Sequence, residues 1–370
     1  MFPDHGHRRI AVASAGDIAA ARRIAAERAD GLLGADEAAR LDGLVAALGA
    51  RLCGRPGGTL LIGRMSHGTG IDCLAYDRDP ATPDRPVPDL DEVAAWADRV
   101  HTHVTPGIGM ALLARVMRSG STEQPPAGAV AQAGGVMVAR DERGGEETFI
   151  DHWFVRCDPQ TGPEPPCGLA VVIDGDTATT QEAGQHGRTA GGERKAACRV
   201  TPAVVRQIER VAAATVPGLP APMVVNAIRR DLAGRAGFGL APDRELVGRG
   251  RSAVAVLRFD AGSVDYTALG TVAGAVVRRQ EIISLSARWN MVGFNPLAPA
   301  SVHLLWGPGD HVVLHTGCCA RLPALFLRRD LHGVEPTLAA LVLLRDGVVC
   351  DDDHAVLVLR NLSPAPAADA

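Results

Sequence analysis

Aromatic residues are scarce in this 370-residue sequence: they make up 4% of it, with two tyrosines. Proteins that hold single-stranded nucleic acid stack its bases on aromatic rings, so the composition argues against that class. Charge of one sign is missing too. The 38 basic and 42 acidic side chains are interspersed and leave a net charge of −4, which provides no basic footprint for DNA or an anionic membrane. No apolar run reaches the ~18 residues of a membrane span. The start, MFPDHGHRRI, is polar and charged rather than secretory, and a cytoplasmic location is expected. No G-x-S-x-G is present, so a hydrolase built on a nucleophile elbow is not expected.

The eight cysteines are scattered at Cys53, Cys73, Cys157, Cys167, Cys198, Cys318, Cys319 and Cys350. None forms C-x-x-C, and the adjacent pair Cys318–Cys319 is a poor zinc spacing. Free, mostly buried thiols in a reducing compartment are the expectation.

Hydrophobic residues, at 46%, supply ample core. At roughly 100–200 residues per domain, two domains are expected. Asp17 can cap a first helix carrying Ile18, Ala21, Ile24 and Ala25, and residues 31–34 break it. Leu41, Leu44, Val45, Leu48 and Leu52 form a helical stripe after Asp36. TLLIG and IDCLAYD read as a strand pair, and TPGIGMALLARVMRSG (105–120) as a glycine turn leading into a helix. The Pro/Gly-rich stretch STEQPPAGAVAQAGG reads as a linker or closing hairpin.

Beyond it short strands dominate: TFIDHWFV, LAVVID, AVAVLRFD, VDYTALG, GAVVRR, HVVLHT and HAVLVLR. Helical stretches interrupt them at 202–215, 223–233 and 335–344. Strands, helices, then more strands predict an α+β chain rather than a βαβ array. The divisions are residues 1–122, a connection at 123–145, a second domain at 146–362, and a tail at 363–370 of disordered-type composition.

Aspartates recur at the ends of the second domain's strands: Asp151 in FIDHWFV, Asp174 in VVIDGD, and Asp351–Asp353 before HAVLVLR. Hard divalent cations take oxygen ligands of this kind, and two such ions can activate a water and clamp a phosphoryl group. Asp is equally common at plain turns. Among the histidines, His101 and His103 share one strand face without an evident third ligand. His354 follows the acidic triplet, beside a phosphate or at an inert turn.

The order of these segments resembles the PPM-type, metal-dependent type 2C serine/threonine phosphatases of the stage II sporulation E and RsbX group. IDHWFV matches their opening segment and VVIDGD their Asp-Gly strand end. GRSAVAVLRFD, GPGDHVVLHTGCCARL and DDHAVLVLR follow in the family's order. The resemblance covers roughly residues 148–360. It implies a β-sandwich flanked by helices, with Asp151, Asp174 and Asp352 as catalytic metal ligands and the Gly175 carbonyl beside them. It also implies Mn²⁺ or Mg²⁺, at one site rather than two. The departures are Gly317 where active members carry Asp, DTAT after Gly175, and Ala355 in place of Thr.

Residues 9–117 resemble the GHKL-type, RsbT-like switch kinases, which implies an N-terminal α/β sandwich. Ala47 and Arg51 stand at the catalytic Glu and Mg²⁺-holding Asn positions, so no kinase activity and at most weak ATP or ADP binding is implied. Asp77 matches the adenine-binding aspartate, and Gly107 and Gly109 match the phosphate-contacting glycines. Together the resemblances imply a partner-switching regulator acting on a small STAS-type antagonist protein. The other reading is an inactive pseudokinase–pseudophosphatase scaffold that sequesters that partner. No nucleic-acid or membrane partner is implied.

Overall fold

The computed structural model describes residues 6–66, 68–80, 90–122, 125, 128–139, 151–158, 166–175, 202–237, 253–270, 272–285, 300–317, 321–348 and 353–364. Asp351, Asp352, the DTAT segment, Cys198, Cys318, Cys319, Cys350 and the tail's residues 365–370 lie outside them.

The chain opens with β1 (Arg8–Ala11), α1 (Ala15–Ala29) and α2 (Ala35–Leu52). Ser14 is the N-cap of α1 and Asp17 closes a capping box on it from the third helical position, so Asp17 supports the cap rather than forming it. β2 (Thr59–Arg64) and β3 (Gly70–Tyr76) pair antiparallel as expected. After the short α3 (Asp91–Ala94) come β4 (Arg99–Thr105) and β5 (Gly109–Met117), a hairpin. The first sheet is ordered β1-β2-β3-β5-β4.

The helix expected after Gly107–Gly109 is therefore strand β5. All nine of its residues are buried, because helices cover both faces of the first sheet. A strand buried on both sides carries a continuous apolar run, which periodicity does not separate from a buried helix. The hairpin turn places Gly107 at φ +71°, where a side chain is disfavoured.

The stretch expected as a linker or closing hairpin contains a strand of the third sheet. Ala131–Val138 forms β6, paired along its length with the last strand. Its glycines are there for close approach. A Cβ on Gly134 would stand 2.4 Å from the Thr337 backbone nitrogen, and one on Gly135 would stand 2.7 Å from the Trp153 ring.

There follow β7 (His152–Asp158), β8 (Cys167–Asp174), α4 (Pro202–Ala213), α5 (Ala221–Gly237), β9 (Ala253–Asp260) and β10 (Ser263–Leu269). β11 (Ala273–Val277), β12 (Ile282–Leu285), β13 (Val302–Leu305) and β14 (His311–His315) come next. α6 (Leu322–Arg328), α7 (Pro336–Gly347) and β15 (His354–Asn361) complete the series. The second sheet is β13-β10-β9-β8-β7 and the third is β12-β11-β14-β15-β6.

Alternating side chains sort these elements into layers. Leu60, Ile62, Leu112 and Ala114 of the first sheet pack under α1 and α2. Leu61, Leu74, Ala111 and Leu113 point the other way, into a core shared with α7 and with Val136, Val138, Val356 and Val358 of the third sheet. The third sheet's other face meets the second sheet through Met137, Leu314 and Leu357 against Trp153, Ala255 and Phe259. Phe154, Val171 and Ile173 close the stack against Ile208 and Val225 of α4 and α5. The α+β reading holds, and α7 forms a layer between the first and third sheets. No helix among the described residues is long and apolar enough to cross a membrane.

Candidate metal centre

β7 and β8 run antiparallel with His152 opposite Ile173. Asp151, just before β7, and Asp174, at the end of β8, therefore emerge at the same end of the second sheet. Both are buried, at 3% and 5% exposure. The Gly175 backbone N–H donates to Asp151 Oδ1 at 3.1 Å. The third sheet ends in the same place. Thr316 accepts from the Ala355 N–H at 3.0 Å, and its hydroxyl lies close enough to the Asp151 carboxyl to favour the charged form. Gly317 donates its N–H to Asp174 Oδ2 at 3.4 Å.

Burial pushes the Asp151 carboxyl well above the usual carboxylate range, and the Asp174 charge adds to this. The bonds from Thr316 and Gly175 pull the other way, and the charge of Asp353 adds a smaller upward push. Two carboxylates share a buried site with a third in electrostatic reach. That donor set is all oxygen, concentrated in charge, and relieved by a divalent cation. Asp151 and Asp174 are thus two oxygen-donor side chains of the kind a hard ion takes. Among the described residues, no group of three or more His, Cys, Asp or Glu side chains converges at metal-binding separation. Asp352, the third expected ligand, lies outside the described residues.

Sequence pattern alone does not single out Thr316. The available signal was a hydroxyl residue directly before Gly317 at the end of an apolar strand. Asp310, another aspartate of the same segment, sits at the far end of β14, where it accepts from the Gly307 N–H at 2.7 Å. His152 pairs with Glu209 of α4 at 3.0 Å, tying that helix to β7 beside Asp151. His315 is buried, and burial lowers its pKa. His354 is buried at the start of β15.

Of the residues matched to a nucleotide site, Asp77 and Gly109 meet, and Gly107 lies two residues away in the hairpin turn. Asp77 is 1% exposed. Its Oδ1 accepts from the Met110 N–H at 2.9 Å, and its Oδ2 takes Arg55 Nη1 at 3.1 Å. A Cβ on Gly109 would stand 2.3 Å from the Asp77 carbonyl oxygen. The glycine thus admits Asp77 to the β4–β5 hairpin. With β5 a strand, no helix N-terminus follows Gly107 and Gly109 to receive phosphate, which corrects the phosphate-site expectation. Arg51 approaches Met110 Sδ at 3.7 Å. His103 is half-buried between β4 and the end of α7, where burial and the Arg345 charge lower its pKa.

No protein-family model matches this sequence, and no curated protein matches it. Solved structures include chains that are similar to this one in part. One is the PP2C phosphatase domain, with a fragment of the regulatory domain, of SpoIIE from Bacillus subtilis. It is 13% identical over 80% of each chain, with a TM-score of 0.43. Another is RsbX in complex with magnesium, 9% identical over 65% of this chain and 98% of that one, with a TM-score of 0.41. A third is the catalytic domain of the serine/threonine phosphatase PstP with two manganese ions. It is 12% identical over 63% of this chain and 99% of that one, with a TM-score of 0.41.

Proposed function

We propose that this chain is a cytoplasmic regulatory phosphatase of the PPM type, which hydrolyses phospho-Ser or phospho-Thr on a small STAS-type partner protein. The observation that carries the reading is the buried pair Asp151–Asp174 at the meeting ends of two sheets, in a chain whose motifs follow the order of that family. When bound, Mn²⁺ or Mg²⁺ supplies Lewis acidity toward a phosphoryl oxygen and lowers the pKa of a water. The chain's own residues do the rest. Asp151 and Asp174 hold the ion, with Asp352 as the further ligand the resemblance supplies. Thr316, beside Asp151, favours its charged form. The packed ends of the two sheets keep bulk water from the carboxylates. The N-terminal module, with Ala47 and Arg51 at its would-be catalytic positions, serves to bind the partner rather than to phosphorylate it.

Gly317 favours a second reading, in which the same fold binds the partner without turnover, because no carboxylate stands beside Asp174 at that position. One assay separates the two. A generic phosphomonoester is given with Mn²⁺ to the wild type and to Asp174→Asn. Mn²⁺-dependent turnover that disappears in the variant establishes the enzyme. Mn²⁺ binding without turnover establishes the scaffold, and absence of both defeats the metal-site reading.

A further inference from the structure

α7 is gripped by the first sheet at both of its ends. Its residues from Pro336 to Arg345 are all buried, and most of its contacts are apolar, with Leu61, Leu74, Ala111 and Leu113 on one side. Apolar packing is non-directional, so it does not by itself fix where a helix sits along its axis. Charged hydrogen bonds do. At the N-terminal end, Glu335 caps α7 by accepting from the Leu338 N–H at 2.9 Å. Arg115 of β5 reaches the same carboxylate through Nη2 at 3.0 Å and donates to Thr337 Oγ1 at 2.9 Å. Its Nε is held by Asp72 of β3 at 2.7 Å. At the C-terminal end, Arg345 donates through Nη2 to Thr105 Oγ1 of β4 at 2.7 Å. Arg78 donates to the Arg345 carbonyl oxygen at 2.5 Å.

From Gly347 the chain has only residues 348–353 before β15 begins. The last of these, Asp353, is the carboxylate whose charge reaches Asp151. The next amide but one, that of Ala355, is bonded to Thr316. We propose that Arg115 and Arg345 are positioning residues for the carboxylate site. By fixing α7 against the first sheet at both ends, they set where α7 delivers Asp353 and the start of β15. The N-terminal module is thereby coupled mechanically to the metal centre, and a partner that shifts the first sheet alters metal affinity. This inference rests on the phosphatase reading only for the identity of the ion.

The test uses the full chain with Thr105→Val, Arg115→Met and Arg115→Lys. Mn²⁺ affinity is read by calorimetry, and amide exchange of His354–Leu357 is read without metal. Arg115→Met is expected to weaken Mn²⁺ binding by about tenfold, the scale seen when a supporting contact of a metal site is lost, with partial recovery in Arg115→Lys. Thr105→Val is near-isosteric and leaves the core filled. It is expected to raise exchange at the start of β15 more than elsewhere in the third sheet. Folded variants with wild-type Mn²⁺ affinity and unchanged exchange overturn the proposal. A wild type that binds no Mn²⁺ defeats the phosphatase reading instead, and the exchange measurement then decides the coupling alone. If Arg115→Met does not fold, Thr105→Val carries the test.

Discussion

Gly317 donates its backbone N–H to Asp174 Oδ2 at 3.4 Å, and a Cβ built on Gly317 would stand 3.7 Å from that oxygen. Among the described residues nothing stands closer to that Cβ, and the backbone of Gly317 is not in the left-handed region. Gly317→Asp is expected to add a carboxylate beside Asp174. More ligand charge means tighter binding, so Mn²⁺ affinity should rise by about tenfold in calorimetry. The metal-free variant should melt lower than the wild type, because a further negative charge joins a buried pair. An unchanged Mn²⁺ affinity would show that Gly317 does not face the ion.

Asp151→Asn separates metal binding from folding. Asparagine keeps an acceptor for the Gly175 N–H while removing one of two buried like charges. The metal-free variant should melt no lower than the wild type, and its Mn²⁺ binding should fall by more than about tenfold. A variant that loses stability and keeps its Mn²⁺ affinity would place the ion elsewhere.

Thr316 Oγ1 accepts from the Ala355 N–H at 3.0 Å, beside the Asp151 carboxyl whose charged form it favours. Thr316→Val keeps the shape and leaves a buried N–H without its acceptor, which costs about 1–3 kcal/mol. Urea unfolding should register that loss, whereas Thr316→Ser should stay near wild type. Equal stability of the valine variant would mean that water replaces the hydroxyl.

His311 governs part of the acid sensitivity. It is 1% exposed and packed against Phe326 and His332. Burial, then the charges of His332 and Arg360, push it down to about 3 from its ordinary 6.5. Below pH 6.5 the unfolded chain binds a proton at this histidine that the folded chain refuses, so stability falls as pH drops toward 3. The slope for one proton is about 1.4 kcal/mol per pH unit. His311→Phe should flatten the stability profile between pH 6 and pH 4 in denaturant titrations. A profile as steep as the wild type's would assign the acid sensitivity to other groups.

Much of the second and third sheets was legible. Strands β7 to β11, β14 and β15 are short apolar runs bounded by turn residues, and pattern reading finds such runs. The stripe from Leu41 to Leu52 became α2 for the same reason. Gly109–Met117 and Ala131–Val138 were not legible. Gly109–Met117 is apolar at nearly every position because α2 and α7 cover opposite faces of its sheet. Ala131–Val138 has a linker's composition because Gly134 and Gly135 make room for Thr337 and Trp153. Both misreadings come from neighbours distant in sequence.

The candidate site divides in the same way. Asp151 and Asp174 each stand at an apolar strand's edge, and local sequence alone marks them as carboxylates at turns. Their meeting is a matter of register: His152 opposite Ile173 brings both to one end of the sheet. Thr316, Gly317 and Asp353 join them because the third sheet packs on the second with its strand ends at the same edge.

The amino-acid pattern by itself determined an α+β chain with aspartates at its strand ends, because periodicity and turn chemistry are local properties. Only the tertiary structure decided that Asp77 bonds to the β4–β5 hairpin and that α7 is shared between two sheets. It also decided that Gly317 stands beside Asp174. Each depends on long-range packing, where residues far apart in the chain settle one another's surroundings.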